Sequence, residues 1–237
     1  MKKRKAFFVL LFIGIGVVLL ALLLKDPIGT SKGPLRTTPF FQNLPGQSLR
    51  IPVISCPVDK DNDGLDDLKD IVAGARAEVK RQPLYRSAYY QGGYPPEQEG
   101  VCTDVVWRAF KDAGYDLKAI VDKDIRQNLP QYSRVGGKPD PNIDFRRVPN
   151  LIVYFKRNAQ VLTQEIKSSD VENLSQWQPG DIVTFAEPHE HIAIISDQRR
   201  PDGVPYILHN AGPTPAESDQ LQSWPSPITG HFRFPRF

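Results

Sequence analysis

Cys102 is the residue whose surroundings in the sequence best suit covalent chemistry. It follows a stretch rich in glycine and proline and opens a segment whose apolar residues, including Val105, Val106 and Ala109, recur at helical spacing. This spacing predicts a helix with Cys102 in its first turn. Unpaired N–H groups and the positive end of the helix dipole favour a thiolate there. The pattern favours Cys102 as a nucleophile, and a disulfide with Cys56 is the alternative.

A cysteine nucleophile needs a base, and the base needs a group that orients it. Two strand patterns, one beginning at His191 and one ending near His209, flank a polar turn at 198–203. An antiparallel hairpin centred on that turn sets His191 opposite His209, whereas a one-residue slip sets Asn210 there. We therefore expect His191 to be the base for Cys102. His209 is the predicted orienting group, with Asn210 as the alternate.

The histidines could also support a zinc site. His189 and His191 lie two residues apart, which puts both imidazoles on one face of a strand, and His209 or His231 could complete the ligand set. This interpretation leaves Cys102 without a role. The sequence therefore favours the thiol and imidazole pair over zinc.

Residues 59–70 predict a loop that binds a cation. The segment reads DKDNDGLDDLKD, with acids at loop positions 1, 3, 5, 9 and 12 and glycine at position 6. This is the oxygen pattern of an EF-hand, except that Asp replaces the final Glu, as in dockerin-like loops. The predicted ion is Ca²⁺ in a structural role, and a solvated acidic helix cap is the alternative. No organic cofactor is predicted. The predicted ligands are Asp59, Asp61, Asp63, Leu65 through its carbonyl, Asp67 and Asp70.

The charge of the chain is unevenly distributed. It carries 30 Lys+Arg against 27 Asp+Glu, a formal charge of +3, and five basic residues with no acid lie within residues 1–25. The remainder is therefore slightly acidic, which argues against a nucleic-acid partner.

Residues 6–24 are an uncharged apolar run preceded by four basic residues. The run has about the length needed to cross a bilayer, so 1–25 is predicted to be a transmembrane signal-anchor, with a cleaved signal peptide as the alternative. Residues 26–50 are a predicted Pro/Gly-rich linker and 51–237 the catalytic domain. We expect a single-pass protein of the bacterial cytoplasmic membrane, with its catalytic domain on the extracytoplasmic side. The membrane is then the predicted partner of residues 6–24.

The order of these motifs resembles that of the NlpC/P60 cysteine peptidases. The chain departs from their pattern at Val101 and Asp104, where those enzymes have Asp and Gly. Residues 59–234 resemble more closely the bacterial family known as domain of unknown function 1287, at 100–106, 142–148 and 230–233. The segments similar to NlpC/P60 are Cys102-Thr103, Pro179-Gly180-Asp181-Ile182, His191-Ile192-Ala193-Ile194 and Leu208-His209-Asn210.

The NlpC/P60 resemblance implies an α+β, papain-like domain whose N-terminal helices pack on a mainly antiparallel sheet. It also implies hydrolysis of amide bonds in cell-wall (peptidoglycan) peptides. The alternative is a calcium-stabilised module that binds the cell envelope without catalysis. Arg146 and Arg147 are expected either to line the cleft or to form an ordinary ion pair near Asp144. Trp177, Trp224 and Tyr94 could form a cleft wall, with core packing as the alternative.

Overall fold

The computed structural model describes residues 49–237. The predicted anchor, 1–25, and the linker up to residue 48 lie outside the described residues. No helix in the described part is both long and apolar enough to cross a membrane. The predicted location, a single-pass protein of the cytoplasmic membrane, is therefore wrong for the part of the chain that the structure describes. The apolar run 6–24, on which that prediction depended, lies outside this part.

Helices come first along the described chain and most strands follow. The helices are α1 (Asp67–Arg81), α2 (Cys102–Asp112), α3 (Leu117–Gln127), α4 (Val148–Asn158) and the short α5 (Val171–Leu174). The strands are β1 (Leu84–Tyr85), β2 (Glu99–Gly100), β3 (Gln160–Val161), β4 (Ile182–Phe185), β5 (His191–Arg199), β6 (Pro205–His209), β7 (Ala216–Ser218) and β8 (Ile228–Arg233).

Six of these strands form one sheet in the order β3-β8-β4-β5-β6-β7, and every neighbouring pair is antiparallel. The short strands β1 and β2 pair in parallel apart from it. The prediction of an α+β domain with a mainly antiparallel sheet is confirmed.

The two faces of the sheet belong to two separate hydrophobic clusters. Ile192 and Ile194 of β5 pack with Cys102 and with apolar residues of α1, α2 and α4. Ala193 and Ile195 pack on the opposite face with α5 and the tryptophan that follows it. Alternation along β5 therefore divides its side chains between a helix-covered face and a second face.

The β5–β6 hairpin differs from the predicted register. Ile194 pairs with Leu208, and an irregularity lies between Ile195 and Arg199. Extended by one residue, this register sets Ala193 opposite His209. The prediction that His191 lies directly opposite His209, or opposite Asn210 after a slip, is wrong. Strand β5 continues to Arg199, so the turn is later and the register shifts; the two histidines are diagonal neighbours on one face.

Candidate active site

Cys102 is the first residue of α2. Val101 precedes it in an extended conformation, and the Asp104 side chain accepts a hydrogen bond from the Val101 N–H at 2.7 Å. This local bond fixes the point where the helix starts, because an acid at the third helical position reaches back to an otherwise unpaired donor. Cys102 is only 7% exposed, so the thiol lies at the junction of helix and sheet.

Burial raises the pKa of the Cys102 thiol to about 12, and the nearby Asp104 carboxylate also raises it. The backbone N–H groups of Ile192, Thr103 and Cys102 itself face the sulfur and act in the opposite direction. The thiol is consequently protonated at neutral pH in this structure. Both Cys102 and Cys56 are free thiols, so the disulfide alternative is not found.

A buried ion pair supports the start of α2. Arg146 donates through Nε and Nη2 to the two carboxylate oxygens of Asp104, each at 2.8 Å, and through Nη1 to the Ala88 carbonyl at 3.0 Å. The Trp107 indole N–H donates to the same carboxylate at 2.7 Å. Asp104 is fully enclosed and Arg146 is 6% exposed. Arg146 therefore positions the helix of Cys102 and does not line a cleft.

Arg147 behaves differently from its neighbour. It pairs with Asp144 at 2.9 Å and keeps about a third of its side chain exposed. This is the ordinary local ion pair that the sequence left as an alternative. Neither arginine contacts the two histidines through a hydrogen bond within the described residues.

The side chains of His191 and His209 are joined directly. Nε2 of His191 lies 2.8 Å from Nδ1 of His209, and Nε2 of His209 lies 2.7 Å from the Ser218 hydroxyl. The Ser218 hydroxyl in turn donates to Oε1 of Gln220 at 3.1 Å. Four side chains from β5, β6 and the end of β7 thus form one hydrogen-bonded chain.

The direction of this chain assigns the tautomers. Because Ser218 donates to Gln220, it accepts from the Nε2–H of His209, which leaves Nδ1 of His209 as an acceptor. His191 must then carry its proton on Nε2. Its Nδ1 has a free lone pair and forms no hydrogen bond with any described residue. Ser218 and Gln220 carried no recognisable signal in the sequence, since β7 has only three residues.

Both histidines are neutral in the folded protein. Burial and, to a lesser extent, the charge of His209 together lower the pKa of His191 to about 3. Burial lowers the pKa of His209 to about 4, although an interaction with the Gln220 side chain acts to raise it. The ring of Trp224 stacks on His191 at 4.2 Å between centroids with a 17° angle. A buried, neutral imidazole with a free nitrogen is able to accept a proton.

Cys102 lies against β5 next to the position of His191. The sulfur faces the amide of Ile192, and His191 is the preceding residue, at the start of β5. Ile192 packs with Cys102, whereas the His191 ring lies with Trp224 on the other face. Within residues 49–237 no hydrogen bond joins the thiol to either imidazole. The structure thus brings the two histidines together, and it places Cys102 on the opposite face of β5, near the start of this strand.

Asn210, the alternate orienting residue, has another partner. Its amide donates to the Gly100 carbonyl at 3.2 Å, and its own carbonyl accepts from the N–H of Gly212 at 3.0 Å. Asn210 thereby ties the end of β6 to the segment that enters α2. Of the two predicted orienting residues, His209 is the one that contacts His191.

A family model described as "Domain of unknown function (DUF1287)" matches residues 72–234. The chain belongs to this family. A curated relative, "Uncharacterized protein YijF" of Escherichia coli (strain K12), is 36% identical over 172 residues, which cover 69% of this chain and 80% of the relative. No solved structure matches the chain. The DUF1287 match includes Cys102, His191, His209 and Ser218, and it begins after the acidic segment 59–70.

The remaining histidines of this DUF1287 member do not form a zinc site. His231 lies between the Thr163 carbonyl at 2.7 Å and the Asp181 carboxylate at 3.0 Å, stacked on Trp177. His189 lies exposed in the loop before β5. Among residues 49–237, the group of three possible ligands close enough to share one ion contains acids alone. Trp177 is fully buried, so it is a core residue.

The three possible metal ligands are Asp59, Asp61 and Asp63, whose carboxylate oxygens lie within 4.8 Å of one another. Asp67, also a predicted ligand, is directed elsewhere. It is fully buried and accepts hydrogen bonds from the Lys60 N–H at 2.7 Å and from the Tyr115 hydroxyl. Asp67 therefore joins the loop to the residues after α2, which sets it apart from the three clustered acids.

Proposed function

We propose that the chain is a cysteine hydrolase that cleaves amide bonds, with a papain-like domain of the NlpC/P60 type. Cys102 is the nucleophile, His191 the base and His209 the orienting residue. The observation that carries this proposal is the polarised chain from Gln220 to His191, because it leaves a free lone pair on Nδ1. That nitrogen is the atom that a general base requires.

The reaction would begin from an uncharged pair. At rest the thiol is protonated and His191 is neutral, in keeping with their pKa values of about 12 and about 3. The sulfur and the His191 ring lie on opposite faces of β5, so catalysis would require them to meet around the start of this strand. Proton transfer from sulfur to Nδ1 would then accompany attack on the carbonyl instead of preceding it. The His191 imidazolium formed in this step keeps its Nε2–H on His209, which stabilises the new charge.

The start of α2 would stabilise the intermediate. The backbone N–H of Cys102 lies in the first turn of α2, at the positive end of the helix dipole, where an oxyanion is favoured. His191 then donates the proton to the leaving amine. Water attacks the thioester, releases the acid and restores the Cys102 thiol.

The substrate class follows from resemblance alone. The segments around Cys102, Asp181, His191 and His209 resemble those of NlpC/P60 enzymes, so we propose a peptide of the bacterial cell wall as substrate. Amide bonds of peptidoglycan stems and cross-bridges are the bonds to test first.

The second candidate is a calcium-stabilised module that binds cell-envelope material without catalysis. The observation that favours it is the depth of Cys102, which is only 7% exposed. The two functions differ in whether the sulfur is needed.

The deciding experiment incubates the purified chain with peptidoglycan fragments from walls of different cross-link chemistry and identifies the products by mass. Cys102→Ala should abolish release, and Cys56→Ser should leave it unchanged. If the wild type releases no product that Cys102→Ala does not, across all wall types, the hydrolase proposal fails. Binding of the same fragments by both proteins would then support the second candidate.

A further inference from the structure

The acidic loop, residues 59–66, holds three carboxylates close together. Asp59 accepts the N–H groups of Asp63 at 3.2 Å and Gly64 at 3.0 Å, and Asp63 accepts the N–H of Leu65 at 2.8 Å. Gly64 has φ +96°, a conformation that a residue with a side chain rarely adopts. The backbone thereby turns the acids toward one point.

A fourth carboxylate lies near this group and is buried. Asp70, in the first turn of α1, is 5% exposed, and its Oδ2 has no hydrogen-bond partner. Among charged groups, Asp63 and Asp61 raise the pKa of Asp70 most. A buried carboxylate oxygen without a hydrogen-bond partner is unfavourable and rare in folded proteins, and a cation bound beside it would satisfy it.

Within the described residues, no basic group forms an ion pair with these four acids. Lys69, the nearest lysine in sequence, pairs with Asp66 at 2.7 Å. None of the ion pairs found in residues 49–237 includes Asp59, Asp61, Asp63 or Asp70. The loop therefore concentrates negative charge that no protein cation balances.

We propose that Asp59, Asp61, Asp63 and Asp70 bind one divalent cation of the calcium class. The available donors are all oxygen atoms, the ligands that hard cations prefer, and several carboxylates around one ion favour Ca²⁺ over the more strongly hydrated Mg²⁺. Asp67 is left out of the ligand set because it is fully buried and its carboxylate bonds to the Tyr115 hydroxyl, outside the loop, as well as to the Lys60 N–H.

The site would join two elements of the fold. Asp70 belongs to α1, while the loop lies against the residues after α2: a Cβ on Gly114 would come within 3.0 Å of the Asp61 Cβ. The cation thus fastens the start of α1 to the far end of the Cys102 helix. That end is about 15 Å from Cys102 at 1.5 Å per residue, so the expected role is structural and independent of the proposed hydrolase.

The test measures calcium binding and thermal unfolding of the full chain after removal of metal ions. Calcium at about 100 times its Kd should raise Tm by about 5–10 °C, with one ion bound by titration calorimetry. Magnesium at the same concentration should raise it by less. An unchanged Tm together with no bound calcium would overturn the proposal.

Two variants separate a ligand from a merely acidic residue. Asp70→Asn should abolish the calcium-dependent rise while raising Tm in the absence of metal, because it removes a buried charge. Asp66→Asn is the matched control: Asn caps a helix as well as Asp, so its calcium response should stay intact. A full response in Asp70→Asn, or an equal loss in Asp66→Asn, would contradict the assignment. If Asp70→Asn does not fold, Asp61→Asn serves, with the same expected loss of response.

Discussion

Arg146 donates hydrogen bonds to both carboxylate oxygens of Asp104, in the first turn of the Cys102 helix, with two N–O distances of 2.8 Å. The same carboxylate accepts the Val101 N–H. A residue 42 positions away in sequence therefore supports the acid that caps the start of α2. Asp104 is the centre of a buried polar network.

Removing Asp104 should destabilise the protein strongly. Asp104→Ala leaves the Arg146 guanidinium buried without a partner, and such a loss costs about 3–5 kcal/mol. Chemical denaturation of wild type and variant measures the difference. The control is Asp197→Ala, which breaks a partly exposed pair with Arg76 and should cost no more than about 1 kcal/mol. Equal effects of the two substitutions would argue against a special role for the buried pair.

Ser218→Ala should slow the proposed hydrolysis without altering substrate binding. Without the hydroxyl, nothing holds the proton on Nε2 of His209, and His191 loses its fixed tautomer. We expect kcat to fall on the order of 10- to 100-fold with KM little changed. Ser223→Ala removes a hydroxyl bonded only to the Asp219 carbonyl and should be neutral. A fall in stability with unchanged kcat would show that the chain is structural.

The Cys102 thiol should react slowly with alkylating reagents in the native protein. With a pKa of about 12, its thiolate fraction increases about tenfold for each pH unit across the range in which the fold survives. The measurement is the rate of iodoacetamide labelling in Cys56→Ser, which leaves one cysteine. In denaturant the same thiol should titrate near pH 8.5. A native rate that levels off below pH 9 would disagree with the buried, protonated state.

Stability should fall as the solution is acidified below about pH 6.5. His191 and His209 have folded-state pKa values of about 3 and about 4, below the value of about 6.5 in an unfolded chain. Between these limits the unfolded state binds more protons, so stability is present above pH 6.5 and is lost toward pH 4. Each histidine contributes up to about 1.4 kcal/mol per pH unit. Denaturation at several pH values measures this slope.

The matched variants for that slope are His209→Phe and His189→Gln. The first removes a buried titrating group and should flatten the pH dependence. The second changes an exposed histidine and should leave it as in the wild type. If both variants retain the wild-type slope, the acid sensitivity arises from other groups.

Local patterns in the sequence predicted much of the site. Apolar spacing after Cys102 indicated a helix that begins at this residue, and alternation around His191 and His209 indicated that both side chains share one face. The pairing itself was predicted incorrectly, because the irregularity in β5 is invisible in a single strand pattern. The prediction that the two histidines share one face still holds, because a register shift of two residues leaves each side chain on the same side of the sheet.

Long-range partners could not be predicted in this way. Asp104 and Arg146 come from different elements, and neither type nor spacing identifies them as a pair. Asp67 fits position 9 of a calcium loop by spacing, yet Tyr115 binds its carboxylate. Such choices depend on which elements pack together, and that information is spread over the whole chain.

The position of β8 between β3 and β4 has a consequence for synthesis of the chain on the ribosome. Strands β4 to β7 can pair in succession as they emerge, but β3 pairs with β8 alone. The Asp181 carboxylate is fully buried, and its partners His231 and Arg233 belong to β8, so they are synthesised later. A nascent chain that ends before Ile228 therefore lacks the strand that joins β3 to the rest of the sheet. The domain can reach its native state only after translation has passed β8.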